Sequence, residues 1–375
     1  MRIFTLIISI FACAVAMAQA DGFYRVKNHK TERYISVIDN RGSVNLSTSD
    51  ADLGALKTIK PFETVVSDPS TIIYFKSVPS AKGYNLETQG VDTYSIIGYY
   101  VKMRESRTVP GTYQAYAEAK GLVKYLSDED WDGDEGVVLT SGNSTRDWHL
   151  LPVDAATDNY FGLTPSVATA ADGAYYHTLY AGFAAELVSE GMKAYYVDRV
   201  DGGLAVWKEI ENGIIPEATA VIVKMASDKA ANNRLQPLAT TPASLQDNLM
   251  KGVYFNNGSN KHNNQKKFDA NTMRVLGKLK DGSVGFVAPA DLKFIPANTA
   301  YINVPAGSPA EIKLVSEDEY KILAGVEGVV ADVKPFAKGI YSVCGVKLSD
   351  DAATLNQLPA GIYIVDGKKV VVGRK

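Results

Sequence analysis

The chain contains few cysteines and few histidines, and it has no excess of positive charge. Its 375 residues include two Cys and four His, and 39 Lys and Arg face 42 Asp and Glu. A chain without a positive field does not attract polyanions, so we expect no nucleic-acid partner. The histidines, His29, His149, His177 and His262, are widely spaced, and no local metal-ligand pattern can be drawn from them. The sequence therefore predicts neither a bound metal nor a cofactor.

Long hydrophobic runs are scarce, and the clearest one begins the chain. Arg2 precedes the apolar run 3–15, and the small-x-small sequence Ala18-Gln19-Ala20 follows it. This pattern is typical of a cleaved secretory signal peptide, and the apolar run is too short to span a membrane comfortably. We predict a signal peptide over residues 1–20 with cleavage near Ala20, no transmembrane span, and a secreted or outer-surface protein.

The low cysteine count restricts what holds the fold together. Cys13 lies within the signal peptide, and lipidation there is disfavoured because Phe11 occupies a position that requires a small residue. Only Cys344 then remains, which excludes an intrachain disulfide and a Cys-based zinc site within one chain. The domains must be stabilised by packing, and we expect Cys344 to be a small buried hydrophobe.

Nucleotide-binding and nucleophile-elbow motifs are missing, since no GxGxxG, GxxxxGK[ST] or GxSxG occurs. Instead, Tyr, Val, Ile and Thr alternate with polar residues, and Gly, Asn and Asp interrupt them at short intervals. This alternation predicts an all-β protein. Two short segments, residues 183–190 and 243–250, are the candidate helices, because each ends at a glycine.

Residues 21–154 contain three weakly similar units, which begin at Tyr24, Tyr74 and Tyr113. In each unit a second tyrosine follows ten or twelve residues later, and the last unit closes with Trp148–Pro152. One such unit cannot bury its own apolar face, but three can do so around a threefold axis. The segment resembles a β-trefoil of the ricin-type lectin or lectin-like kind. The Gln-x-Trp signature of sugar-binding ricin repeats is missing, so a trefoil without a small ligand stays open.

Residues 155–316 contain a duplication. Ile215–Val223 recurs as Ile295–Asn303, with the two prolines 80 residues apart, and each copy follows a glycine-containing hairpin. A turn led by proline that feeds an alternating strand favours an antiparallel β-sandwich. Through His177–Tyr180 and Lys193–Val197, the segment resembles a domain of secreted multi-domain proteins of the Bacteroides group. That resemblance implies no catalytic residues.

The C-terminal residues form a third region. After a linker predicted over residues 317–338, residues 339–375 contain two Gly-Ile-Tyr segments, Gly339–Tyr341 and Gly361–Tyr363, and a Lys-rich last strand. This β-hairpin tail is similar to the C-terminal sorting segment of type IX secretion cargo. The resemblance implies that the secretion machinery is a partner and that the tail is an address or an anchor.

The most concentrated charge lies in the run 128–136. Alternate carboxylates followed by a glycine are typical of calcium loops, but Leu139 occupies the position where such a loop requires a bidentate glutamate. The favoured interpretation is a solvated acidic hairpin turn. The others are a calcium site at Asp128, Asp130 and Asp132, and a sugar-contacting loop. The candidate ligand-binding residues are Asp128, Asp130, Trp131, Asp132 and Asp134.

Other aromatic residues and histidines are assigned to structure. We expect Trp148 and Trp207 in the core, His149 and His177 as structural strand residues, and His262 in a polar loop. Together these observations predict a non-enzymatic binding protein for a glycan or a host surface protein. A structural or protein-interaction module and a glycoside hydrolase with a dispersed carboxylate pair are the alternatives.

Overall fold

The structure is a computed structural model. It describes residues 19–40, 43–44, 56–59, 62–131, 134–140, 145–169, 172–258, 263–324, 338–343 and 345–373. Strands dominate the described residues, which confirms the all-β prediction. The chain forms two compact units, Met1–Tyr320 and Lys321–Lys375.

The first unit begins with a sheet of twelve described strands, called here the N-terminal sheet. Its strands are β1 (Gly22–Asn28), β2 (Tyr34–Val37), β3 (Ser43–Val44), β4 (Leu56–Ile59), β5 (Ile73–Val78), β6 (Gly83–Thr88), β7 (Val91–Ile96), β8 (Lys102–Glu105), β9 (Tyr113–Ala119), β10 (Leu122–Trp131), β11 (Asp134–Thr140) and β12 (Trp148–Pro152). A short helix, α1 (Phe62–Val65), and two 3-10 turns, Pro69–Thr71 and Pro79–Ala81, connect strands.

The first and last strands of this sheet pair with each other. β1 and β12 run antiparallel, with Tyr24 opposite Pro152 and Asn28 opposite Trp148. Apolar side chains at alternate positions along these strands fill the interior. Trp148 is fully buried among them and its indole N–H donates to the Leu126 carbonyl oxygen at 3.0 Å, so the prediction of a core tryptophan is confirmed.

The second part of the first unit is called here the repeat domain. Its strands are β13 (Phe161–Gly162), β14 (Val167–Ala168), β15 (Tyr175–Leu179), β16 (Ala184–Leu187), β17 (Lys193–Asp201), β18 (Leu204–Glu209), β19 (Ile214–Ile215), β20 (Val221–Met225), β21 (Arg234–Leu238), β22 (Met250–Val253), β23 (Met273–Lys278), β24 (Val284–Val287), β25 (Thr299–Asn303) and β26 (Glu311–Val315). One 3-10 turn, Ala230–Asn232, precedes β21.

The sequence duplication coincides with a structural one. The strands of the first copy pair in the order β15-β20-β17-β18, and those of the second copy in the order β22-β25-β23-β24. Both copies belong to one ten-stranded sheet, in which β26 separates them. Equivalent residues of the repeated turn, Ala218 and Asn298, both adopt a left-handed backbone, with φ of 51° and 56°. β26 pairs in parallel with β18, so the expectation of wholly antiparallel strands is wrong for this pair.

A second sheet, β13-β21-β16-β19, shares a core with the first copy. Phe161 and Leu235 of this sheet pack with Val221 of the larger one, and all three are buried. The two helix predictions are wrong. Residues 184–187 form β16, because pairing with β19 and β21 outweighs the local helix propensity of alanine. Residues 243–249 are irregular and lead into β22.

A helix, α2 (Glu317–Leu323), occupies the start of the predicted linker. Its N-terminus is a capping box: the Ser316 hydroxyl accepts from the Glu319 N–H, and the Glu319 carboxylate accepts from the Ser316 N–H. Tyr320 is buried and donates to the Asp201 carboxylate at 2.7 Å. The first residues of this segment are therefore part of the packed unit. Residues 325–337 lie outside the described set.

The second unit contains a sheet with the strand order β28-β27-β29-β30. Its strands are β27 (Ile340–Ser342), β28 (Lys347–Ser349), β29 (Gly361–Val365) and β30 (Lys368–Val372), with a 3-10 turn, Ala352–Gln357, before β29. Asp366 and Gly367 join the last two strands with positive φ, as a two-residue hairpin turn requires. Cys344, which we expect to be a small buried hydrophobe, lies outside the described residues.

Candidate functional site

A cleft of about 640 Å³ lies where the N-terminal sheet meets the repeat domain. One wall comes from β2 and from the turn Pro69–Thr71. The other comes from β15, from residues 254–257 after β22, and from residues 296–299 before β25. Small-molecule sites are typically concave and of this size, and they often occur between domains. The cleft is therefore the candidate functional site.

The lining of this cleft is nearly uncharged and combines polar groups with apolar surface. Hydroxyl groups come from Ser36, Thr64, Ser67, Ser70, Thr164 and Thr299, and amides from Asn256, Asn257 and Asn298. Tyr254 and Phe255 add two aromatic rings. Among the described lining residues, Asp68 is the only carboxylate, and no Lys or Arg is present. Such a lining suits a neutral, hydroxyl-rich ligand and offers no cation to a phosphate or a carboxylate.

Asp68 is held in place by the turn that it caps. Its carboxylate accepts hydrogen bonds from the Ser70 N–H at 2.9 Å and from the Ser70 hydroxyl at 2.6 Å. Burial raises the pKa of Asp68, while the hydrogen bonds from Ser70 and the charge of Arg25 act in the opposite direction. Because the carboxylate is fixed by its neighbours, it orients the polar wall formed by this turn.

His177 carries a buried polar atom without a hydrogen-bond partner, and the buried hydroxyl of Tyr254 lies beside Tyr180. The Nδ1 atom of His177 and the hydroxyl of Tyr254 are buried, and neither makes a hydrogen bond of normal geometry within the described chain. Burial lowers the pKa of His177 to about 4, so the imidazole is neutral at neutral pH. Burial also raises the pKa of Tyr254. Buried polar groups are usually paired, and both atoms are closed to solvent, so they belong to the packing behind the wall of the cleft.

The cleft is fixed by the packing of the N-terminal sheet on the repeat domain. Gln89 and Asn298 are both buried and form a reciprocal amide pair, with two hydrogen bonds of 3.1 Å. The Asn298 amide also donates to the Tyr180 carbonyl oxygen at 3.0 Å. Gly182 lies so close to Gln89 that a Cβ atom on Gly182 would be 2.4 Å from the Gln89 nitrogen. This contact leaves no room for a larger residue.

Arg25 also links the N-terminal sheet to the segment that leads into the repeat domain. It is fully buried in β1 and donates to Asn159 Oδ1 at 3.0 Å and to the Tyr160 carbonyl oxygen at 2.8 Å. It also donates to Thr71 Oγ1 at 3.2 Å, beside the cleft. Burial lowers the pKa of Arg25 to about 10, while the charge of Asp68 acts in the opposite direction. Arg25 was not singled out from the sequence, because its partners are all distant along the chain.

The acidic run forms the predicted hairpin, but its first carboxylate is buried. β10 and β11 pair from Tyr125 to Trp131, with Trp131 opposite Asp134. Asp128 accepts two hydrogen bonds from the Arg33 guanidinium, at 2.6 and 2.9 Å, and one from the Thr31 hydroxyl. The solvated interpretation is therefore wrong for Asp128, which makes a buried ion pair.

The remaining residues of the acidic site stay a prediction. Asp132 lies outside the described residues, as do the side chains of Asp130, Trp131 and Asp134. The described residues contain no group of three or more His, Cys, Asp or Glu side chains placed to hold a metal ion.

Three of the four histidines lie within the described residues. His177 is in β15, opposite Val223, as its alternating pattern predicts. His29 and His149 meet on the surface, with Nδ1 of His29 3.1 Å from Nε2 of His149. Partial burial, followed by the charges of His29 and Lys27, lowers the pKa of His149. His262 lies outside the described residues.

Trp207 is half-buried in the repeat domain, where its ring stacks on Tyr195 with centroids 4.5 Å apart.

No helix in the described ranges combines the length and the apolar character that a membrane crossing needs. A comparison of the chain with protein-family models finds no match, and a comparison with curated proteins finds none.

Proposed function

We propose that this is an exported, non-enzymatic protein that binds carbohydrate in the cleft between the N-terminal sheet and the repeat domain. The observation that carries the proposal is the lining of the cleft, which combines uncharged hydroxyls and amides with the rings of Tyr254 and Phe255. Sugars present hydroxyl groups and apolar C–H faces, which neutral hydrogen-bonding groups and aromatic rings complement.

The architecture that we propose is a β-trefoil, followed by a β-sandwich and a sorting tail. The twelve strands of the N-terminal sheet support the first part, because they fall into three successive groups of four. Each group opens with a paired couple of strands: β1 with β2, β5 with β6, and β9 with β10. The shared core of the two sheets in the repeat domain supports the second part.

The C-terminal unit is proposed to direct export or surface attachment. Its compactness as a separate unit supports an independent role. Several of its apolar side chains are exposed, including Val346 at 60% and Val371 at 70%, which suits a segment recognised by secretion machinery. Deletion of residues 339–375 should keep the protein from reaching the outer surface or the medium, and unchanged arrival there would remove this part of the proposal.

Two alternatives give different outcomes. A structural or protein-interaction module, including one that binds a host surface protein, would bind no sugar. A glycoside hydrolase requires two carboxylates in one cleft, and Asp68 is the only one among the described lining residues. Release of reducing sugar from array-positive glycans would favour the hydrolase.

The proposal is tested by screening residues 21–375 on a glycan array. The whole chain is needed because Phe255 of the repeat domain packs into the core of the N-terminal sheet. We expect binding to neutral glycans and weak binding to sulfated or phosphorylated ones, because the described lining has no Lys or Arg. Binding to no glycan at all would overturn the carbohydrate proposal.

Two matched variants separate the cleft from the acidic hairpin. Tyr254→Leu removes the aromatic ring from the wall of the cleft, so we expect it to weaken glycan binding by roughly tenfold. Trp131→Ala removes the aromatic ring of the hairpin and should leave binding unchanged. If Trp131→Ala weakened binding and the Tyr254 variant did not, the ligand would bind at the hairpin, as the sequence predicted.

A further inference from the structure

His29 and His149 are 120 residues apart in sequence, and the fold brings their imidazoles together. His29 directly follows β1, while His149 belongs to β12 and lies opposite Lys27 of β1. The ring centroids are 5.3 Å apart and the rings are inclined by 56°, so they are not stacked. Nδ1 of His29 and Nε2 of His149 are 3.1 Å apart, on an exposed part of the surface.

This separation matches that of two ligands of one metal ion. Imidazole nitrogens bind Zn²⁺ at about 2.0 to 2.1 Å. At that distance, two ligands lie about 2.8 to 3.0 Å apart in a right-angled arrangement and about 3.3 to 3.4 Å apart in a tetrahedral one, with intermediate angles between these values. The observed 3.1 Å falls within this interval. Imidazole is a preferred ligand of Zn²⁺ and Cu²⁺, and the exposed position of His29 leaves room for water at the other coordination positions.

We infer that His29 and His149 form a two-histidine binding site for Zn²⁺ at the junction of the first and last strands of the N-terminal sheet. The ion would join the turn after β1 to β12, next to the five paired positions that close this sheet. Binding to the folded chain alone stabilises it, and the stabilisation grows with the logarithm of the Zn²⁺ concentration once that exceeds Kd. This site is separate from the cleft, and its existence does not depend on the carbohydrate proposal.

The inference is tested by calorimetric titration of ZnCl₂ into residues 21–375, purified without a polyhistidine tag. We expect one ion per chain and a rise in unfolding temperature with Zn²⁺. His29→Asn and His149→Gln should each lower the Zn²⁺ affinity by at least roughly tenfold, because even changes beyond the direct ligands cost about 10- to 100-fold. Circular dichroism shows whether each variant is folded, and the exposed position of His29 makes its variant the safer one.

Lys27→Gln is the matched control. It removes a neighbouring positive charge and leaves both imidazoles, so Zn²⁺ affinity should be unchanged or higher. Wild-type protein that binds no Zn²⁺ would overturn the inference, and the 3.1 Å contact would then be a histidine–histidine hydrogen bond alone. Folded His29→Asn and His149→Gln proteins that bind Zn²⁺ as tightly as wild type would overturn it too.

Discussion

The acidic hairpin and the cleft are the two polar regions of the first unit, and they are built in opposite ways. The hairpin collects its carboxylates from one continuous stretch, and its first one, Asp128, is neutralised by Arg33 in the interior. The cleft draws its groups from segments as distant as Ser36 and Thr299, and most of its polar groups are uncharged. A local concentration of charge is thus not by itself a sign of a ligand site. A concave surface that combines polar groups and aromatic rings from distant segments is the stronger sign.

The largest loss of stability is expected at Asp128, the buried carboxylate of the acidic hairpin. Arg33→Met leaves the buried carboxylate of Asp128 without its guanidinium, and breaking a buried ion pair costs about 3–5 kcal/mol. Urea denaturation measures the loss. Lys193→Met is the control, because the Lys193–Glu209 pair is exposed and should contribute about 0–1 kcal/mol. Similar losses for both variants would show that Asp128 is not held by a buried pair.

The next largest effect is a loss of stability in acid, caused by His177 in the wall of the cleft. The pKa of His177 is about 4 in the folded protein and about 6.5 in an unfolded chain, so below pH 6.5 the unfolded chain binds the proton first. The His177 contribution to the free energy of unfolding therefore falls as pH drops from 6.5 to 4, by roughly 3 kcal/mol in all. His177→Gln should flatten this part of the pH profile. Identical slopes for the two proteins would contradict burial of a neutral imidazole.

A smaller loss is expected when the junction that shapes the cleft is broken. Asn298→Ala leaves the buried Gln89 amide without its partner, which should cost about 1–3 kcal/mol in the free energy of unfolding. Weaker glycan binding should accompany this loss, since Asn298 also lines the cleft. A stability equal to wild type would show that the amide pair does not hold the two parts together.

The smallest effect is expected at the equivalent position of the other copy. Ala218→Asn keeps the left-handed backbone, which asparagine tolerates somewhat better than alanine, and should change stability by less than about 1 kcal/mol. Position 218 does not line the cleft, so glycan binding should be unaffected. A loss as large as that of Asn298→Ala would mean that the turn conformation, rather than the amide pair, explains both results.

The sequence predicted the parts of the fold that depend on local pattern. Alternating residues indicated strands, the repeated Ile-Pro turn coincides with two copies of one strand order, and Trp148 is buried as expected. The capping box at Ser316–Glu319 was a local signal that we overlooked. The error at residues 184–187 arose because strand pairing with distant segments outweighed the propensity of two alanines.

The cleft could not be predicted in the same way. His177 was assigned as a structural strand residue, and it is in a strand, but its unpartnered nitrogen depends on what the rest of the chain places beside it. Arg25 and the pair of His29 and His149 also depend on contacts across more than a hundred residues. Sequence spacing carries no information on such contacts when only one sequence is read.

The location of the ligand is tested most directly by hydrogen–deuterium exchange of residues 21–375 with and without an array-positive glycan. Our account predicts slower amide exchange at residues 254–257 and 296–299, which line the cleft, and no change in the β10–β11 hairpin. Protection confined to residues 122–140, with none around the cleft, would contradict it.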